Sequence, residues 1–339
     1  MRLIKTEDAV GHVLCHDMTQ IIKDQYKDAR FRKGHVVTEE DIPVLLSMGK
    51  EHLYVWEMTP GMVHENDAAE RLLALCGQEN MIRSGVKEGK IELKAACDGV
   101  FLVDSARLVA VNSQDEVMIA TRKGGMAVRE GDKLAGMRVI PLIIEEEKLR
   151  KAEQAAGDKP LLSLKPYVRK TACIVATGGE VKKGLIKDTF TPVVIDKLKT
   201  YGIETLEVVY SGDGVENVRD AVLAMREKKP DMILCTGGMS VDPDDNTPGG
   251  IKAAGANIIA YGAPVLPGAM FLLGYFDDGM PVMGLPGCVM YAGATVFDLV
   301  LPKIAADVSV TRADLAALGE GGLCLGCKPC HYPICPFGK

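Results

Sequence analysis

A chain of 339 residues with 47% hydrophobic residues is long enough for two or three domains and can fill more than one core. Its net charge of -6 and pI near 5.6 supply no basic stripe of the kind a nucleic-acid surface needs, so no nucleic-acid partner is expected. The opening residues hold no apolar run of signal-peptide length, which points to a cytoplasmic protein. Residues 253–276 are uncharged and long enough to span a bilayer, but Pro264, Pro267 and the glycines at 255, 262, 268 and 274 cut them into short strands and turns. No membrane span is expected.

In chain order, residues 1–60 read as an N-terminal α/β segment. Helical patterns fall at 6–11 and 39–48, and Gly49 ends the second before a strand at 52–56. Tyr54 and Trp56 close that strand and are read as core. Residues 61–150 form a β-rich module with alternating runs at 90–93, 116–120 and 138–144, separated by glycine turns. The charged stretch 145–154 is helical in pattern, and 155–160 reads as a linker. His12, His16, His35, His52 and His64 show no ligand spacing and are taken as structural.

From 165 to 308 short apolar runs alternate with helical patterns, the mark of a mostly parallel sheet with crossover helices. Strands are predicted at 171–176, 204–210, 232–235 and 281–284. Helices are predicted at 189–201, with Gly202 as the stop, at 215–228, and through Val296, Leu299 and Leu301. Ligands collect beyond the carboxyl ends of such strands. Glu180, Asp213 and Asp245 follow the first three strands and are expected at one rim.

Two strands end in the same device, Thr177-Gly178-Gly179-Glu180 and Thr236-Gly237-Gly238-Met239-Ser240. A single such run is a tight turn; two at neighbouring strand ends point to a site whose backbone N–H groups cradle phosphate. Asp242, Asp244 and Asp245 make either a solvated loop or, with Glu180 and Asp213, a place for Mg²⁺ held through one or two carboxylates and substrate phosphate. Asn246 or Thr247 is expected to cap a following helix and leave Asp245 free.

The ordered set Thr177-Gly178-Gly179-Glu180, Asp188-Thr189, Asp213, Thr236-Gly237-Gly238-Met239-Ser240, Asp245, Pro267-Gly268 and Gly284-Leu285-Pro286-Gly287 resembles the molybdopterin-binding domain of molybdopterin molybdotransferases and gephyrin-type proteins. The resemblance covers about 168–306 and touches 7–17 and 34–55. It implies a three-layer α/β/α domain in molybdenum cofactor biosynthesis, binding molybdopterin or adenylyl-molybdopterin and inserting molybdate with Mg²⁺, in a homo-oligomer. Carried over by position, Glu180, Asp213 and Asp245 take the acidic catalytic places. Thr177, Gly178, Gly179, Asp188, Thr236, Gly237, Gly238, Ser240, Pro267, Gly268, Pro286 and Gly287 take the ligand-binding places. The chain departs from the family at Leu266-Pro267-Gly268-Ala269-Met270, where lysines flank the Pro-Gly pair, and at Gly287-Cys288-Val289, where asparagine-proline follows the glycine. The missing cations favour an alternative in which the protein is a non-catalytic molybdopterin carrier or a redox- or metal-linked sensor.

Ten cysteines divide into two populations. Cys15, Cys76, Cys97, Cys173, Cys235 and Cys288 stand alone and read as small buried hydrophobes. Cys324, Cys327, Cys330 and Cys335 crowd a tail at 320–339, where their spacing suits either structural Zn²⁺ or an iron–sulfur cluster. The bland alternative is a flexible, redox-labile tail.

Overall fold

A computed structural model describes residues 2–22, 26–55, 60–240, 242 and 245–339. The chain divides into two units. The first comprises residues 1–96, 103–122 and 131–163; the second comprises 97–102, 123–130 and 164–339.

In the first unit, strand Arg2–Lys5 pairs antiparallel with His52–Val55, and Met18–Ile22 pairs with Tyr26–Phe31. Leu14, Met18, Phe31, Val37, Leu45 and Leu53 form one buried cluster under the short helix Asp41–Ser47. Tyr54 is 45% exposed, because strand alternation turns Leu53 and Val55 inward and Tyr54 outward; the core reading of this residue is corrected. Trp56 lies outside the described residues. A four-stranded antiparallel sheet follows, in the order Met81–Arg83, Ile91–Ala95, Lys133–Val139, Val117–Thr121. The run predicted at 138–144 is two elements: one strand ends at Val139, and after Pro141 another, Ile143–Glu145, pairs with Met62–His64. The unit also carries helices Glu65–Cys76 and Ser105–Asn112, capped by the side chains of His64 and Asp104, which the alternating pattern did not reveal.

The second unit is built on a six-stranded sheet. Its strands are β1 (Thr171–Thr177), β2 (Glu204–Ser211), β3 (Met232–Thr236), β4 (Asn257–Tyr261), β5 (Leu272–Tyr275) and β6 (Pro281–Leu285), in the spatial order β2-β1-β3-β6-β5-β4. The β1/β2, β1/β3 and β3/β6 pairings are parallel; β5 runs antiparallel to both of its neighbours. The uncharged 253–276 segment supplies β4, β5 and their connection. Among the described residues no helix is long and apolar enough to cross a membrane.

Apart from their terminal threonines, the central strands β1 and β3 are apolar because both faces of the sheet are covered. Ala172 and Ile174 of β1 and Met232 and Leu234 of β3 enter one core. It also holds Val194 and Leu198 of α2 (Phe190–Lys199) and Phe297 and Val300 of α5 (Val296–Ala305), where α1 denotes the short helix Gly179–Lys182. Cys173, Val175, Ile233 and Cys235 face the opposite core with α3 (Val215–Arg226) and α4 (Thr247–Ala253). Alternate residues of each strand thus serve two helix layers, giving the α/β/α sandwich. Cys235 is fully buried and its thiol is pushed up to about 12 by desolvation, as suits a small inert hydrophobe.

A buried ion pair ties α2 to α5. Lys197 Nζ lies 2.5 Å from Asp298 Oδ1, with side chains 16% and 11% exposed, and Asp298 also closes a capping box with Thr295. Removing the lysine leaves a carboxylate without its cation. Lys197→Met is therefore expected to lower unfolding free energy by about 3 kcal/mol; urea titration reads this directly, and a loss under about 0.5 kcal/mol would show the pair to be inconsequential.

Candidate ligand site at the strand-end rim

The order β2-β1-β3 means that the chain leaves β1 toward one side, returns, and continues on the other. The loops after β1 and β3 part at this reversal, and a crevice opens at the carboxyl ends of the strands. Both Thr-Gly-Gly turns stand there, because Ala176 of β1 is in register with Thr236 of β3.

The two turns have different jobs. In the first, Gly178 N–H donates to Ser211 O at 3.3 Å, and Gly179 N–H donates to Asp213 at 3.0 and 3.2 Å, so β2 and its loop consume these amides. In the second, Gly237 and Gly238 sit at φ +83° and +58°. A side chain on Gly237 would meet Thr177 O at 2.4 Å, so only glycine fits. Among the described residues the N–H groups of Gly237 and Gly238 have no protein acceptor. Consecutive amides in this conformation form an anion-binding concavity.

Hydroxyls fix that concavity from below. Thr177 Oγ1 donates to Thr236 O at 2.9 Å, Thr247 Oγ1 donates to Gly237 O at 2.9 Å, and the two hydroxyl oxygens are 3.1 Å apart. All three threonines are buried. The sequence offers Thr247 as a cap; its side chain instead joins α4 to the second turn.

Among the described residues, the acidic side chains at this rim form no shared cation site. Glu180 is exposed on α1, Asp213 holds the Gly179 amide, and Asp245 Oδ2 accepts from Ser240 N–H at 3.0 Å. The expectation that Asp245 is free is thus corrected: closing its own loop is the competing demand. Asp242 is exposed, and Asp244 lies outside the described residues. Tyr261 O–H donates to Met239 O at 2.8 Å. Burial and the nearby Asp245 charge push its phenol up.

Asp188 caps α2, accepting from Phe190 N–H at 2.9 Å and Thr191 N–H at 3.0 Å, with Tyr210 O–H donating to its other oxygen at 3.2 Å. Burial opposes the carboxylate, but hydrogen bonds from Thr191, Phe190 and Tyr210 outweigh it and hold the carboxyl below its ordinary value. Leu266-Pro267-Gly268 borders the start of α5, where Val296 N–H donates to Pro267 O at 3.3 Å. Pro286 and Gly287 lead from β6 into the short helical turn Gly287–Met290. One cation escaped sequence reasoning. Lys182 is exposed, and its Nζ lies 3.8 Å from where a Cβ on Gly212 would stand, beside Asp213. Concavity size does not mark this rim: a cavity of about 670 Å³, lined by Arg169, Tyr275 and Val310, lies at the opposite ends of the strands.

Among the described residues no three His, Cys, Asp or Glu side chains are placed to hold one metal ion. The carboxylates of the rim do not fit a ready Mg²⁺ set, since two of the three accept backbone N–H groups. The four tail cysteines do not fit a zinc or iron–sulfur centre as placed. The reason is visible in the tail: Cys324 and Cys335 pack against the α/β core, whereas Cys327 and Cys330 are exposed.

Residues 173–306 match the model of a family described as a "probable molybdopterin binding domain", and residues 3–57 match a domain of unknown function (DUF8806). By the first of these matches the second unit carries a domain of the broad molybdopterin-binding type. Over 76 residues, 22% of this chain, it is 33% identical to a CinA-like protein of Mycobacterium tuberculosis, covering 18% of that protein. The chain thus spans under a fifth of the length of the curated relatives it matches. Solved structures with similarity include the molybdopterin biosynthesis enzyme MoaB of Thermus thermophilus, at 17% identity and TM-score 0.36 over 42% of this chain and 97% of that one. The protein CinA of Thermoplasma acidophilum aligns at 18% identity and TM-score 0.34, over 40% and 98%.

The depressed Asp188 carboxyl has a pH signature. A lowered folded value adds stability above the unfolded value of about 3.9, and that stability disappears as pH falls through the folded value. Asp188→Asn is expected to be less stable than the parent at pH 7 by about 1 kcal/mol, with the difference closing below about pH 4. Thermal unfolding across that range tests it; a pH-independent difference would contradict the charge assignment.

Proposed function

We propose that the strand-end rim binds the phosphate-bearing pterin of the molybdenum cofactor and that the protein acts in the biosynthesis or handling of that cofactor. The observation that carries this reading is the pair of amides at Gly237 and Gly238, which have no acceptor among the described residues and are held at the reversal of strand order by buried threonine hydroxyls. The phosphate would accept from these N–H groups, and Lys182 would add a cation from α1. Ser240, Pro267, Gly268, Pro286 and Gly287 would line the remaining wall.

The finer activity, insertion of molybdate into adenylyl-molybdopterin with Mg²⁺, asks more of the acidic residues. Glu180 is free of the turns, whereas Asp213 engages both carboxylate oxygens, and Asp245 one, in holding backbone amides. Leu266 and Ala269 stand where the molybdotransferases that the sequence resembles carry lysines. Together these favour a pterin-binding carrier over a molybdotransferase, with the rim residues orienting the ligand and no metal step assigned to them.

Two titrations separate the readings. Lys182→Ala removes an exposed cation and should weaken molybdopterin binding about tenfold, more at low than at high salt, with folding unchanged. Calorimetric titration that finds equal affinity for parent and variant would remove Lys182 from the site. Repeating it with adenylyl-molybdopterin and molybdate should give binding without release of AMP; rapid, Mg²⁺-dependent AMP release would establish the transferase instead.

A further inference from the structure

The tail at 320–339 is neither loose nor arranged as a metal centre. Leu266 N–H donates to Gly322 O at 2.8 Å, and Cys324 N–H donates to Leu266 O at 2.8 Å, so the tail begins zipped to the loop between β4 and β5. Farther along, Tyr332 O–H donates to Asp298 O at 3.0 Å, its ring meets Phe337 edge-on, and Phe337 is buried in the α/β core. Both ends are pinned. Between them the chain bends at Lys328 and Pro329, with the exposed free thiols of Cys327 and Cys330 on either side of the bend.

This placement sorts the four cysteines by burial, which their spacing could not. Cys324 and Cys335 are packing residues against the core. Cys327 and Cys330 are three residues apart, one on each side of the bend, and both thiols are exposed. Cys330 also rests against backbone: a Cβ built on Gly293 would lie 2.8 Å from its Cβ and its Sγ. Gly293 lies between the turn Gly287–Met290 and the first residue of α5.

We propose that Cys327 and Cys330 form a reversible dithiol–disulfide site whose co-substrate is a small disulfide. One cysteine thiolate attacks a sulfur of the small disulfide, forming a mixed disulfide and expelling one small thiolate. The second cysteine thiolate then attacks the protein sulfur of the mixed disulfide, closing the Cys327–Cys330 bond and expelling the other. The protein loses two electrons and two thiol protons; the small disulfide gains both and leaves as two thiols. The inference is independent of what the strand-end rim binds.

The test uses the full chain, purified anaerobically, equilibrated with defined ratios of reduced and oxidised glutathione, then acid-quenched, alkylated and analysed by peptide mass spectrometry. The expected result is a single two-electron transition with loss of about 2 Da from the peptide holding Cys327 and Cys330, while Cys324 and Cys335 remain alkylatable in the unfolded quench. Cys327→Ser and Cys330→Ser should each abolish the transition and trap the mixed disulfide on the remaining thiol. Gly293→Ala, which displaces Cys330 without removing a thiol, should shift the midpoint ratio at least threefold. Near-stoichiometric zinc or iron lost only when the four tail thiols are alkylated would overturn the proposal. So would oxidation that yields glutathione adducts in the parent but no Cys327–Cys330 bond.

Discussion

Everything proposed for the ligand rim depends on how the second Thr-Gly-Gly turn is held. A loop that leaves two adjacent amides without acceptors is costly unless water or a ligand takes them, and it persists only when its surroundings permit no alternative. Here the surroundings are specific. Thr177 reaches across from β1 to Thr236 O, Thr247 reaches back from α4 to Gly237 O, and the Thr177 carbonyl leaves no room for a side chain on Gly237. Two elements, β1 and α4, thus converge on one turn, and the sheet order that separates the β1 and β3 loops gives the turn an open side.

The first turn shows what happens without that arrangement. Its amides are consumed by Ser211 and Asp213, so it supports the wall between β1 and β2 and offers little to an anion. Asp245 and Asp188 are likewise engaged, one closing a loop and one capping a helix. Acidic residues that look like a cation site when counted along the chain are mostly structural in space. Among the described residues, the rim chemistry not engaged with the backbone includes Glu180, Lys182 and the Gly237–Gly238 amides.

The sandwich was legible in the sequence because its signals are local. Apolar runs such as 232–235 and the Gly202 stop place strands and helices within two residues of their observed ends. The rim was legible through repeated glycines at strand ends. What could not be read was the allocation of hydrogen bonds: two identical Thr-Gly-Gly strings differ only because β2 lies beside one and α4 beside the other. The tail was hidden for the same reason. Four thiols at metal-like spacing do not reveal that Tyr332 and Phe337 pin the segment to the core and divide the cysteines by exposure.

In the proposed complex the amides of Gly237 and Gly238 receive the phosphate of a pterin ligand. Nuclear magnetic resonance of the ¹⁵N-labelled protein titrated with molybdopterin tests it most directly. These two amide resonances are expected to move downfield together, saturating with the same affinity as the bulk binding signal. Saturable binding that leaves both resonances unmoved would contradict it.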